Sequence, residues 1–417
     1  MERLNDHTKT VVVVGAGIVG ATSALTLLRR GHRVTLVDRD APGMGCSFGN
    51  GGAISPDFCV PMSMPGMLRR VPRWLTDPLG PLSLDWRHVP RALPWLMRWV
   101  AAGRPQRVRQ ISAAMRALHA PALDLYQELL GERYDTLIEK TGQLYVWRNA
   151  NASPSEEIAR QLRQSHGIAV QSLTPQDIHR IDPDLANGFV RGLYFPENAH
   201  TVDPLGLVDA IVELFVQSGG TVVRDAVRSF ELRQGQAVCA VCANGNLPAD
   251  TFVLAAGLAS ATLAKQLGDR IPLQAERGYH AMLPDPKVSP KVKIGNRDQM
   301  FGLTPMRAGV RISGTVVITN PAEPADMRRA TALLTNAKRM YPGLNDAGAT
   351  FWMGDRPSTP DSLPVIDHAG RAGNVLYAFG HGHSGLSGAP MTAQLVASLV
   401  TGERPAIDAA AFARNRF

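Results

Sequence analysis

The first ordered signal is an almost continuous apolar run. Thr10–Val14 holds four consecutive valines, and apolar residues continue to Leu28, interrupted by glycines at 15, 17 and 20. β-Branched side chains lose rotamer freedom in a helix and pack well on a pleated surface, so 10–14 is predicted as a buried strand. Ile18 to Arg30 reads as the helix that follows, and Gly31 supplies its C-terminal stop. Arg33–Val37 is a second strand, ended by Asp38. Residues 11–28 have the length of a signal segment or membrane span, but the valines and glycines favour strand, turn and helix. No small-residue cleavage site follows, so the expectation is a cytoplasmic chain without a targeting segment. Further along, Thr251–Leu254 is a buried strand ending in Ala255-Ala256-Gly257. Val375–Phe379 is another, running into Gly380-His381-Gly382-His383-Ser384-Gly385 and a helix from about Leu386 to Val400. Asp203-Pro204 has the form of an N-cap with Pro at N1, opening a helix to Gln217.

The first strand, turn and helix contain Gly15-Ala16-Gly17-Ile18-Val19-Gly20, a G-x-G-x-x-G, with an acid at the end of the next strand. Gly15 permits the tight turn, Gly17 lets a pyrophosphate approach the backbone, and Gly20 lets helix and strand pack closely. The helix N-terminus offers N–H groups and partial positive charge to the phosphates. Asp38 accepts hydrogen bonds from a ribose diol, and an acid there argues against a 2′-phosphate. In this context the motif predicts dinucleotide binding. After Asp38 and Arg39 comes no further β-α unit but a Gly/Ser/Asn loop from Gly43 to Gly52, suited to backbone wrapped closely around a ligand.

With 417 residues, two or three folding units are expected. Hydrophobic residues at 45% and charged residues at 19% exclude a disordered chain or a coiled coil. Four cysteines are too few for a disulfide framework. Cys239 and Cys242 form a C-x-x-C, but they lie in an alternating run, Ala237 to Ala243, that reads as a strand. Successive strand residues point to opposite faces, so ordinary burial is expected rather than a metal or redox pair. The net charge is +8, and Met64 to Arg109 carries nine Arg against two Asp, with Trp74, Trp86, Trp95 and Trp99 interleaved. Such a stretch suits an anionic membrane surface or a solvated helical face; nucleic acid is not expected as a partner.

Five ordered elements together resemble the FAD-dependent D-amino-acid oxidase superfamily, and within it the bacterial D-amino-acid dehydrogenases. They are the G-x-G-x-x-G unit, Ser47-Phe48-Gly49-Asn50-Gly51-Gly52, Glu276-Arg277-Gly278-Tyr279, Arg356-Pro357-Ser358-Thr359-Pro360-Asp361-Ser362-Leu363-Pro364, and the 380–385 loop. The resemblance spans nearly the whole chain. It implies an α/β fold: a Rossmann-like FAD-binding domain over 1–90, 199–270 and 354–417. A second, discontinuous α+β domain of mixed sheet and helices is expected over 91–198 and 271–353.

It also implies non-covalent FAD held by Gly15, Gly17, Ile18, Val19, Gly20, Asp38, Arg39, Ser47, Asn50, Gly51, Gly52, Ala256, Gly257 and the loop Gly380, His381, Gly382, His383, Ser384 and Gly385. The activity implied is oxidative deamination of a D-amino acid, cyclic ones such as D-proline or D-hydroxyproline included. Glycine, sarcosine or an L-amino acid is the alternative, and a basic flavoprotein binding module at a membrane is the non-enzyme one. Electrons would pass to quinone or oxygen. Arg356 is expected to hold the substrate carboxylate, since a guanidinium fork binds it bidentately, with Arg277 and Arg307 as runners-up. Tyr279 is expected to line the pocket in preference to His280, and no metal is expected. The chain is placed in the cytoplasm or on the inner face of the cytoplasmic membrane.

Overall fold

In the computed structural model, which describes residues 8–67, 80 and 82–417, the valine run Thr10–Val14 lies inside a six-stranded sheet. Its order is Thr221–Arg224, Arg33–Asp38, Thr10–Val14, Thr251–Leu254, Val375–Phe379, Val365–His368. Neighbours are parallel except the last pair. The valines divide by parity. Val11 and Val13 face a core shared with the helices Ile18–Arg29, Pro204–Gln217 and Gly385–Thr401. Val12 and Val14 face the opposite core, built with the three-stranded sheet Val227–Arg233, Gln236–Cys242, Asn246–Pro248 and the helix Ser260–Gln266. Helices or strands cover both faces, so the first strand shows no hydrophobic alternation. Cys239 and Cys242 are buried free thiols in this second layer.

A nine-stranded mixed sheet forms the second unit. Its order runs Thr350–Ser358, Gln274–Leu283, Gly309–Ile318, Phe301–Met306, Lys293–Asn296, Gln143–Trp147, Arg191–Phe195, Gln171–Leu173, with Leu82–Leu84 pairing onto Gly309–Ile318. The helix Arg328–Met340 closes one face through Ala330, Leu333, Leu334, Ala337 and Met340, an amphipathic spacing. From the other face Lys293 and Arg311 reach the loop at 48–51.

Two helices depart from the expected division. Pro105–His119 and Ala122–Leu130 fall within 91–198, but Ile111, Met115, Leu118 and Tyr126 join the first sheet's core. The Tyr126 hydroxyl donates to the Leu386 carbonyl at 2.8 Å, fixing these helices to Gly385–Thr401. Among the described residues, no helix is long and apolar enough to cross a membrane. Trp74 lies outside the described residues.

Candidate active site

The glycine turn after the first strand is set by close approach. Gly15 has φ +106°, and a Cβ there would stand 2.4 Å from the Ala255 carbonyl oxygen. Ala256 and Gly257, which follow the Thr251–Leu254 strand, therefore border the turn. Gly17 is the N-cap of Ile18–Arg29 and has no side chain to cap it. The Ile18 N–H donates to Ser47 Oγ at 3.0 Å, drawing the 43–52 loop over that helix end. Asp38 Oδ2 accepts from the Ala16 N–H at 2.7 Å, and Oδ1 accepts from the Asp40 N–H at 3.1 Å. Arg39 turns outward, exposed and paired with Asp40. Ser384 caps Gly385–Thr401 without a side-chain hydrogen bond, so a second helix N-terminus is open. Two such helix ends, a carboxylate beside the first and a close-wrapped loop between them fit an extended dinucleotide.

The loop is fastened from the second sheet by two cations that sequence reasoning missed. Arg311 Nη1 donates to the carbonyls of Phe48 (2.9 Å) and Asn50 (2.7 Å). Lys293 Nζ donates to the Gly51 carbonyl at 3.1 Å and to Thr304 Oγ1 at 2.9 Å. Asn50 Oδ1 accepts from the Gly52 N–H, closing the loop on itself. Neither cation forms an ion pair among the described residues. Burial pushes Lys293 down to about 8 and Arg311 down to about 10. A sequence signal existed: each is a cation between apolar residues, Val310-Arg311-Ile312 and Val292-Lys293-Ile294.

Strand parity sorts the substrate candidates. Glu276 and Arg356 are direct partners across neighbouring strands, as are Gly278 and Gly354, and His280 and Trp352. These pairs face the loop. Arg356 Nη1 donates to the Thr315 carbonyl at 3.2 Å, and the guanidinium has no ion pair among the described residues. Burial pushes it below its ordinary value, partly opposed by Glu276.

Arg277 and Tyr279 lie on the opposite face. Arg277 pairs with Asp355 at 2.9 Å and donates to the carbonyls of Pro321, Glu323 and Pro324. The Tyr279 hydroxyl accepts from the Asp326 N–H, and its ring packs in the core beneath Arg328–Met340. The expectation that Tyr279 lines the pocket is therefore corrected: one residue of strand phase gives that face to His280. His280 stacks on Trp352, its Nδ1 lies 3.1 Å from the Gly49 carbonyl, and burial holds it down to about 4. Arg307 is half-exposed beside Asp203, 3.7 Å away, and donates to the Thr136 carbonyl.

The histidines of the 380–385 loop diverge. His381, expected beside the cofactor, is buried with Nε2 2.9 Å from Thr392 Oγ1, and burial holds it down to about 3. His383 points the other way, with Nε2 2.8 Å from Glu276 Oε2. Ser358 Oγ donates to the same oxygen at 2.8 Å. Burial alone would raise the Glu276 carboxyl, but these hydrogen bonds and the nearby charges of His383 and Arg356 hold it below its ordinary value. Glu276, Ser358 and His383 form the polar side of a cleft, and Phe58, Met62 and Trp99 form its apolar side.

The chain matches the family DAO, described as FAD dependent oxidoreductase, over residues 10–399. A D-amino-acid oxidase of Bradyrhizobium diazoefficiens is 36% identical over 415 residues, 98% of each chain. A D-amino acid dehydrogenase of Rhizorhabdus wittichii is 29% identical over 98% of this chain and 100% of that one. Among solved structures, the glycine oxidase of Geobacillus kaustophilus superimposes with a TM-score of 0.73 at 20% identity, covering 99% of both. The L-proline dehydrogenase of P. horikoshii gives 0.73 at 17% identity, covering 99% of this chain and 98% of that one. At these identities the two structures share the fold.

Proposed function

The chain belongs to the DAO family of FAD-dependent oxidoreductases, and we propose that it oxidises the Cα–N bond of a D-amino acid with an apolar side chain, giving an imino acid and then a 2-oxo acid. Bound FAD supplies the two-electron acceptor for that oxidation. The pyrophosphate is assigned to the N–H groups at Gly17–Gly20, a ribose to Asp38, and the flavin end to the loops at 49–52 and 380–385. The protein's part is to place and orient the substrate, and charge complementarity in a dry site makes that placement strong.

The observation that carries the reading is Arg356. Its guanidinium is half-buried on the strand beside Glu276 of the cleft, makes one hydrogen bond to a backbone carbonyl, and has no carboxylate partner within ion-pair distance among the described residues. Partial burial strengthens its attraction for an anion, so a ligand carboxylate is the partner that suits it. Phe58, Met62 and Trp99 then receive an apolar side chain. Cyclic substrates such as D-proline fit that chemistry. The named activities of the two sequence relatives support the D configuration.

The test is anaerobic bleaching of the bound flavin by a panel of amino acids. Reduction by apolar D-amino acids is expected. Reduction by glycine, sarcosine or L-amino acids alone would replace the substrate class, and no reduction by any of them would remove the reading.

The exposed side of the helix Val89–Ala102 supports a second element of the proposal, docking on an anionic membrane. Trp86, Leu93, Met97 and Val100 are exposed there, among the exposed arginines 87, 91, 98, 104 and 107. A docked chain would deliver its electrons to a quinone dissolved in that membrane. Oxygen uptake matching substrate turnover would instead make oxygen the acceptor.

A further inference from the structure

We propose that His383, oriented by Glu276, is the base that takes the ammonium proton from the bound substrate; the assignment rests on the amino-acid oxidation read above. An amino acid reaches the site protonated on nitrogen. An ammonium has no lone pair to drive cleavage of the Cα–H bond, so the proton must leave first. A side chain within reach of the nitrogen accelerates such a step.

Two independent features place His383 in that role. The first is its hydrogen bonding. Glu276 Oε2 accepts from Nε2 at 2.8 Å, and Ser358 Oγ donates to the same oxygen and holds the carboxylate in place. With the Nε2 proton engaged by a carboxylate, the neutral ring carries its lone pair on Nδ1, for which no partner occurs among the described residues. A carboxylate that fixes the tautomer also stabilises the imidazolium that forms. The second is position. His383 lines the cleft with its side chain 25% exposed, while Glu276 behind it is 8% exposed. Arg356 is the direct cross-strand partner of Glu276. A substrate whose carboxylate is held at Arg356 therefore has its nitrogen close to His383.

The step balances within the site. One N–H bond of the ammonium breaks, and an N–H bond forms at His383 Nδ1. The substrate becomes a neutral amine, and the ring becomes an imidazolium paired with Glu276. The charged and titratable groups around His383 are few. Glu276 faces it from Gln274–Leu283, and Arg356 approaches from Thr350–Ser358. His381, in the same loop, is turned away onto Thr392, with His119 of Pro105–His119 near it. Phe58, Met62 and Trp99 are uncharged.

The experiment is anaerobic stopped-flow reduction of the holoenzyme across pH, with flavin content measured for each variant. His383→Asn should lose about 10²–10⁴ in reduction rate at neutral pH. The deficit should shrink in alkaline solution, where the substrate arrives as free amine. A β-trifluorinated D-amino acid, whose acidic ammonium is already deprotonated at neutral pH, should reduce the flavin of wild type and variant at similar rates. Glu276→Gln should keep flavin and move the acid limb of the rate profile to lower pH, because the imidazolium loses its anion. A His383→Asn deficit that is equal at every pH, or equal for the fluorinated substrate, overturns the proposal. So does a variant that purifies without flavin, or a Glu276→Gln profile with an unmoved limb. These failures are distinct from failure of the functional reading, in which the wild-type flavin itself is not bleached by any amino acid.

Discussion

The guanidinium of Arg356 lies flat against Gly278, where a Cβ would stand 2.2 Å from Nη2 and 2.3 Å from Cζ. The glycine of Glu276-Arg277-Gly278-Tyr279 is thus a slot for an arginine on the neighbouring strand. Gly278 has ordinary extended backbone, so alanine is not strained there. Gly278→Ala should fold and bind FAD normally, because the far end of a flexible side chain yields before the sheet does. The displaced guanidinium should weaken kcat/KM by about tenfold to a hundredfold, the worth of one charge-assisted hydrogen bond. Steady-state kinetics beside a thermal melt checks this. A large fall in Tm with unchanged KM would mean that the slot serves only packing.

Arg356 itself allows a sharper comparison. Arg356→Ala removes a bidentate partner worth about 1.5–3 kcal/mol per hydrogen bond, so kcat/KM should fall by roughly two to four decades. Arg356→Lys keeps the charge and loses the fork, and should lie between. An amine lacking the carboxylate should be oxidised equally by all three proteins. If the Ala variant emerges without flavin or unfolded, Arg356 is a structural pin.

The strand–turn–helix corner at 10–38 was legible because its signals are local. Four valines, three spaced glycines and a terminal acid lie within 29 residues, from Thr10 to Asp38, and each has one structural use. The Gln274–Leu283 strand was not legible to the same depth. Nine of its ten residues are buried, so the two faces show no contrast in hydrophobicity and the phase cannot be read. Tyr279 and His280 therefore exchanged places against expectation. Similarly, His381 and His383 differ only in direction, set by a loop with Gly382 at φ +52°. The target of Arg311, the carbonyls of Phe48 and Asn50, is some 260 residues distant. The Gly309–Ile318 pattern contains nothing that names that partner.

Arg311→Met tests that long-range fastening. The loop at 48–50 loses two hydrogen bonds to a charged donor, while the protein sheds a buried cation whose Nε has no partner. The second change offsets the first in overall stability, since replacing a buried charge by an apolar group of similar size is often neutral. Apoprotein Tm should therefore change little. The FAD dissociation constant should rise by roughly tenfold to a hundredfold, read by fluorescence titration of apoprotein. An unchanged affinity would make Arg311 a strut of the fold alone.

The helix Val89–Ala102 divides its apolar residues between two destinations. Trp95 turns inward, and its Nε1 donates to the Ser358 carbonyl at 3.0 Å. Trp99 borders the cleft. Leu93, Met97 and Val100, spaced i, i+4 and i+7, are 49%, 65% and 40% exposed, with Trp86 ahead of them at 69%. Packing accounts for the first two tryptophans and leaves the outer stripe uncovered among the described residues. Exposed arginines 87, 91, 98, 104 and 107 accompany it, a combination suited to an anionic lipid surface. The protein should float with vesicles containing anionic lipid and remain behind with zwitterionic ones. Leu93→Asp combined with Met97→Asp should abolish flotation while leaving oxidation of a soluble substrate with an artificial acceptor unchanged. Each of Arg91→Ser and Arg98→Ser should weaken binding by about fivefold at low salt, following roughly 1 kcal/mol per basic residue near the surface. Flotation that ignores lipid charge, or that survives the paired aspartates, would return this stripe to ordinary solvent exposure.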